Sequence, residues 1–330
     1  MDALLDAGLA ATRWLQTTYP QLAGFFNFIS TLGLEEFYLV FVPLIYWSID
    51  KRLGKHLAYV FLLANALNAL GKHVLRGPRP FWLDPNIGLW DETSYGVPSG
   101  HAQLTAAIYL FLALWLRRWW VWLLAILFVL LMMISRVYLG AHFLHDVILG
   151  MLLSVLLLLG YVVWQRRYAA GFGKRILGYR LMVAVLVPLG FVVLYVILRL
   201  IIGVANEAVD WGTFVPGAEL SGLEGMATAV GSLLGAGIGL TLEGSRVRFV
   251  SAGSVWQRIG RFLLGISVTL ALWYGLGQLF PDDPLWLAIP LRIFRYTLIL
   301  LWVSYFAPLA FVRTRLAAAE PAPRIEMTPP

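Results

Sequence analysis

Eight residues with the chemistry of phosphate handling fall in three short segments: Lys72-x6-Arg79-Pro80, Pro98-Ser99-Gly100-His101, and Ser135-Arg136-x5-His142-x3-Asp146. His142 and Asp146 are four apart at the start of an apolar helix, within hydrogen-bonding reach on one face. A carboxylate that accepts from one ring nitrogen fixes the tautomer and leaves the other nitrogen free to attack, so His142 is a candidate nucleophile or base with Asp146 as its orienter. Attack on phosphorus gives a phosphohistidine, and the departing oxygen then needs a proton from a second acid. His101 is the candidate for that role. Lys72, Arg79 and Arg136 supply three positive charges for the equatorial oxygens of a transferring phosphoryl group, and the two arginines can bind oxygens in pairs. Ser99 and Gly100 precede a helix predicted to start near His101, so their backbone N–H groups can face an anion at its N-terminus. Gly100 also admits close approach. The cations take the place of magnesium, and the sequence offers no acidic cluster for a metal, so neither a metal ion nor a cofactor is expected.

Each segment sits at the end of a strongly apolar stretch, which decides what positions it. Sixty per cent of the 330 residues are apolar and only 13% are charged, a balance that ordinary soluble domains do not show. The expected fold class is all-α: a polytopic integral membrane bundle of about nine transmembrane helices. The predicted spans lie near 35–50, 53–75, 100–117, 119–138, 142–165, 177–203, 222–243, 260–279 and 286–312. Helices are required because lipid offers the backbone no hydrogen-bond partner, and the apolar runs do not alternate as barrel strands would. The net charge of +7 is carried by short clusters between apolar spans, which excludes nucleic-acid binding in favour of membrane orientation. With no cysteine, disulfides and thiol chemistry are excluded. The start, Met1-Asp2-Ala3-Leu4-Leu5-Asp6, has no basic region and is predicted as an amphipathic helix rather than a leader.

Lys51, Arg52, Lys55, Arg117, Arg118 and five basic residues between 166 and 180 fall in alternate connections. With Arg246, Arg248, Arg258, Arg261, Arg313 and Arg315 they make sixteen of the twenty-five lysines and arginines. They mark the cytoplasmic side. The opposite connections carry Glu35, Glu36, Glu207, Asp210, Glu219, Asp282 and Asp283 and all the phosphate-handling residues. The site is therefore expected on the extracytoplasmic side of a cell (inner) membrane. Five regions are expected: amphipathic or re-entrant helices in 1–34, with a broken span as the competing reading; a catalytic core in 35–166; a basic cytoplasmic linker in 167–180; a four-helix membrane domain in 181–316; and a disordered tail in 317–330. His56, His73 and His145 are assigned as polar anchors and Arg76 as a snorkelling arginine.

Together the three segments resemble the signature of the type 2 phosphatidic acid phosphatase superfamily over roughly residues 35–165. The resemblance implies metal-independent hydrolysis of a phosphomonoester or diphosphate through a phosphohistidine. It implies His142 as nucleophile, Asp146 as its partner, His101 as proton donor, and Lys72, Arg79, Ser99, Gly100 and Arg136 as phosphate ligands. The partner is then a lipid phosphate in the membrane. Polyprenyl (undecaprenyl-type) diphosphate is the first choice by analogy with bacterial relatives, with phosphatidic acid, phosphatidylglycerol phosphate and sphingoid phosphate as alternatives. A phosphotransferase or lipid transporter could use the same site. Loop 81–97, with Phe81, Trp82 and Trp90, is expected to cover the pocket. In the C-terminal half, Gly231, Gly235 and Gly239 form a small-residue face suited to helix packing, with a homo-oligomer as one use. Arg292 and Arg295 need partners inside the membrane, Glu224 or carbonyls first, an anionic lipid second.

Overall fold

A computed structural model of the chain describes residues 2–321, which form a helical membrane bundle. In chain order the helices are α1 (Asp2–Thr18), α2 (Ala23–Thr31), α3 (Glu35–Leu44), α4 (Lys51–Leu75), α5 (Pro80–Leu83), α6 (Gly100–Leu116) and α7 (Trp119–Tyr138). They continue with α8 (Leu144–Arg167), α9 (Ala169–Gly173), α10 (Leu177–Ile202), α11 (Val215–Leu242), α12 (Val255–Leu279), α13 (Leu285–Leu301) and α14 (Ala307–Arg313). Among the described residues seven helical stretches are long and apolar enough to cross a bilayer, or eight with one bent pair. The predicted nine needs two adjustments. α6 is short, at 17 residues, and the first span is broken, with Pro20–Thr31 and Glu35–Ile49 meeting at 51°.

Local chemistry explains several boundaries. Pro43 removes a donor inside α3, and the helix ends in a widened turn closed by Asp50 N–H to the Ile45 carbonyl at 2.9 Å. The Asp50 carboxylate then accepts from the N–H groups of Arg52 and Leu53 at 2.8 and 3.0 Å, which starts α4. α4 and α7 bring their C-terminal ends, and α6 and α8 their N-terminal ends, to one side of the bundle. Lys72, Arg136, His101 and Asp146 ride on those ends. The opposite ends of the same four helices carry Lys51, Arg52, Arg117, Arg118, Arg166 and Arg167.

The expected catalytic and C-terminal units share buried clusters. Leu62 and Ala66 of α4 pack with Ala229, Leu233 and Ala236 of α11. Trp47 is fully buried and donates its indole N–H to the Val303 carbonyl at 2.9 Å. Lipid is as apolar as these side chains, so close fit and hydrogen bonds hold the halves together rather than water exclusion. The Gly231, Gly235 and Gly239 face is filled within the chain. A Cβ there would meet the Ile293 carbonyl oxygen at 2.4 Å, the Thr297 carbonyl oxygen at 2.3 Å and Ser304 Oγ at 1.8 Å, respectively. Contrary to one sequence expectation, this face is therefore closed to a second copy. Arg292 pairs with Glu224 at 3.2 Å, and Arg295 donates to the Trp273 carbonyl.

Two more expectations change. The tail does not become irregular at Ala317: Ala317 is buried, and Phe249 and Ala319 form an antiparallel bridge. Backbone N–H groups of Val250 and Glu320 close that bridge at 2.8 and 2.9 Å. The rest of the expected tail, 322–330, lies outside the described residues. Arg76 does not snorkel to lipid headgroups, because Glu219 of α11 holds it at 3.0 Å.

Candidate active site

His142 lies in the connection between α7 and α8, ahead of the helix rather than on it. Its approach to Asp146 therefore comes from a cap and not from helical spacing. Asp146, in the first turn of α8, accepts the Phe143 N–H on Oδ2 at 2.9 Å, and this places Oδ2 3.4 Å from His142 Nδ1. On the other side of the ring, Arg79 Nη1 is 3.2 Å from His142 Nε2. A guanidinium only donates, so Nε2 presents its lone pair and the ring proton is assigned to Nδ1, toward Asp146. Burial, then the Arg79 charge, holds the His142 imidazole well below its usual range, so it is neutral at pH 7.

Arg79 is fully buried and held at every nitrogen. Nε donates to the Ser94 carbonyl at 2.5 Å, Nη1 to the Ala141 carbonyl at 3.0 Å, and Nη2 to Ser94 Oγ and the Tyr95 carbonyl at 3.0 and 3.1 Å. Lys72 reaches the same loop, donating to Ser94 Oγ at 3.1 Å and to the Tyr95 carbonyl. Arg136, also fully buried, donates to Ser30 Oγ at 2.9 Å, with the Trp90 ring 5.1 Å away. The three cations, both histidines and Asp146 thus lie in one cluster.

Ser99 departs from expectation. Its N–H donates to the Asp146 carbonyl at 3.1 Å, and its Oγ accepts the Ala102 N–H at 3.4 Å as the cap of α6. That leaves the N–H groups of Gly100 and His101 at the open end of the helix. His56 pairs with Tyr161 at 2.7 Å and His73 lies against Tyr195, both apart from the cluster. His145, set aside as an anchor, comes 3.1 Å from Asp146 Oδ1.

Glu92 is the residue that sequence reasoning missed. Its carboxylate enters the middle of the cluster, 2.5 Å from Arg79 Nη2, paired with Arg136, 3.4 Å from His101 Nδ1 and 3.9 Å from His142 Nε2. Burial alone would raise this carboxyl, but Arg79 and Arg136, followed by His101 and His142, hold it well below the usual carboxylate range. No spacing rule could have found it, because Glu92 belongs to the connecting loop and reaches the cations only when that loop folds back.

The N-terminal helices and the C-terminal half fix the loop. Arg13 of α1 pairs with Asp84 at 2.7 Å, and Gln16 donates to the Ile87 carbonyl at 2.9 Å. On the other flank Tyr95 donates to Glu219 at 2.9 Å, and Trp82 stacks on Phe214 with ring centroids 5.0 Å apart. A cleft of about 800 Å³ opens beside Lys72, Glu92 and His101. It adjoins a second, mostly apolar cavity of about 380 Å³ that runs between α3, α4, α11 and α13.

A family model described as the PAP2 superfamily matches residues 54–170, the stretch that carries all eight predicted residues. A second, described as the PAP2 superfamily phosphatase transmembrane extension, matches residues 227–319. The chain belongs to the PAP2 superfamily. Sphingosine-1-phosphate phosphatase 2 of Mus musculus is 32% identical over 148 residues, covering 42% of each chain. Glucose-6-phosphatase catalytic subunit 1 of Rattus norvegicus is 30% identical over 193 residues, 47% of this chain and 52% of that one. The matched part therefore spans about half or less of these curated relatives. The crystal structure of a PAP2 type phosphatidylglycerolphosphate phosphatase from Bacillus subtilis superposes with a TM-score of 0.44 and 27% identity, over 51% of this chain and 89% of that one.

Proposed function

We propose that this PAP2 protein hydrolyses the phosphomonoester of a membrane-anchored lipid through a phosphohistidine on His142, on the extracytoplasmic side of the cell membrane. The observation that carries the reading is one anionic position. It is faced by Arg79, Arg136 and His101, with His142 Nε2 3.9 Å away, and the Glu92 carboxylate now occupies it. In the first step Nε2 attacks phosphorus, the N–P bond forms, the P–O ester bond breaks, and His101 supplies the proton that the leaving alkoxide takes up. In the second, water attacks the phosphohistidine, His101 recovers a proton from it, and inorganic phosphate leaves. Lys72, Arg79 and Arg136 carry the charge that a metal would otherwise meet. Asp146, with Oδ2 3.4 Å from Nδ1, supports the imidazolium as it forms.

The adjoining cavity supports the lipid and narrows its class. Its lining is mainly apolar, with Glu35, Glu36 and the paired Arg292 and Glu224 as its charged groups beyond Lys72. A second phosphate would meet carboxylates there, so a monoester stands ahead of polyprenyl diphosphate. A body bearing hydroxyl or ammonium groups, as in a sphingoid phosphate, suits the lining. The names of the two curated relatives, both phosphomonoester phosphatases, point the same way.

The test is phosphate release by purified protein in detergent with EDTA. The panel is sphingosine phosphate, phosphatidic acid, phosphatidylglycerol phosphate and polyprenyl diphosphate, each beside His142→Ala. Release from the monoesters that the substitution abolishes is expected. Retained turnover in folded His142→Ala would reject the covalent mechanism, and no release from any lipid would shift the reading to transfer or transport.

A further inference from the structure

We propose that Glu92 is a built-in competitor for the phosphate position and sets which phosphates enter: those anchored in the membrane are admitted and free phosphate or soluble esters are held off. The inference rests on the site reading above. Lys72, Arg79 and Arg136 are buried and close together. Without an anion among them their mutual repulsion would go unopposed. The Glu92 carboxylate supplies that anion, pairing with both arginines and lying 3.4 Å from His101. It blocks both the approach to His142 Nε2 and the position of the proton donor, so chemistry requires its departure.

The loop is built to let it leave without unfolding. Leu89 is pinned by its N–H to the Leu139 carbonyl at 3.0 Å, and Gly96 by its N–H to the Gly77 carbonyl at 2.9 Å. Arg79 and Lys72 grip Ser94 and Tyr95. Between these anchors, among the described residues, the backbone of Trp90, Asp91, Glu92 and Thr93 makes no hydrogen bond to other backbone. Asp91 and Thr93 are exposed, and Trp90 lies edge-on to His101 with ring centroids 6.0 Å apart. A four-residue arc can therefore swing outward while both ends stay fixed.

Selectivity follows from competition. A carboxylate on so short a tether acts at an effective concentration of millimolar or more, so dilute free phosphate must displace it unaided. A lipid phosphate brings the binding energy of its body in the adjoining cavity, and that energy can be applied to the displacement. The same device would keep the product, inorganic phosphate, from lingering in the site.

The experiment uses the full chain purified in detergent. Inorganic phosphate and orthovanadate are titrated calorimetrically into wild type, Glu92→Gln and Glu92→Asp, and turnover of p-nitrophenyl phosphate is compared with that of the preferred lipid. Glu92→Gln is expected to bind both anions at least tenfold more tightly, to gain about tenfold in kcat/KM on the soluble ester relative to the lipid, and to suffer stronger phosphate inhibition. Glu92→Asp keeps the charge with a shorter reach and should fall between, which preserves the test if the glutamine variant is unstable. Equal anion affinity in wild type and Glu92→Gln would overturn the proposal, as would loss of turnover on both substrates with affinity unchanged, since Glu92 would then take part in catalysis. Failure of wild type and both variants to bind either anion would instead overturn the phosphate-site reading beneath it.

Discussion

Arg79→Lys separates charge from geometry at the centre of the site. Arg79 serves five hydrogen-bond acceptors and the Glu92 carboxylate, six partners in all. A lysine ammonium has three hydrogens, so at least three partners are lost. Ser94 Oγ and the Tyr95 carbonyl keep Lys72 as a donor. The Ser94 and Ala141 carbonyls have no such substitute. Two buried acceptors left without partners cost about 1–3 kcal/mol each, or about 2–6 kcal/mol of stability. The rate falls for a separate reason: a single ammonium cannot orient His142 Nε2 and grip a phosphoryl oxygen at once. Loss of one such transition-state donor is worth about 2.7–4 kcal/mol, or roughly 10²–10³ in kcat. The assay is phosphate release normalised to folded protein, with folded protein measured by gel filtration and thermal unfolding. A lysine variant that turns over within about threefold of wild type per folded molecule would refute the reasoning, because positive charge alone would then suffice.

Stability should also depend on pH through His142. Its folded-state pKa is depressed below the ordinary 6.5 by burial and then by Arg79. The unfolded chain therefore binds the proton first, and the contribution is present above pH 6.5 and lost as pH falls below it. Thermal unfolding midpoints should drop between pH 6.5 and 5, and drop less in His142→Ala; equal declines would contradict the assignment. Gly140→Ala should lower the unfolding midpoint and the activity together. Gly140 has φ of +68°, and a Cβ there would lie 2.2 Å from the Ile87 carbonyl oxygen, against the loop that carries Glu92. The left-handed conformation alone costs about 1–2 kcal/mol, and an unchanged midpoint would show that the loop is not seated on this turn.

The sequence alone determined the class of molecule and which residues gather at the candidate site. A bilayer forces apolar segments into helices, and clustered basic residues orient them, so Lys72, Arg79, His101, Arg136, His142 and Asp146 fall on one face without any knowledge of packing. Even the partner of Arg292 could be anticipated, since an intramembrane charge must find one. Tertiary structure decided what spacing does not encode. His142 precedes α8 rather than riding on it, so its link to Asp146 comes from a capping contact. Ser99 gives its N–H to Asp146 and not to the open site. Arg76 meets Glu219, and the glycine face of α11 is filled by α13 and the turn that follows it, because long-range packing brings together surfaces that are remote in the chain. Above all, Glu92 enters the cation cluster because α1 and α11 clamp its loop from two sides. A short motif records which groups must be present, whereas the placement of a loop carboxylate depends on the summed contacts of helices far away in sequence.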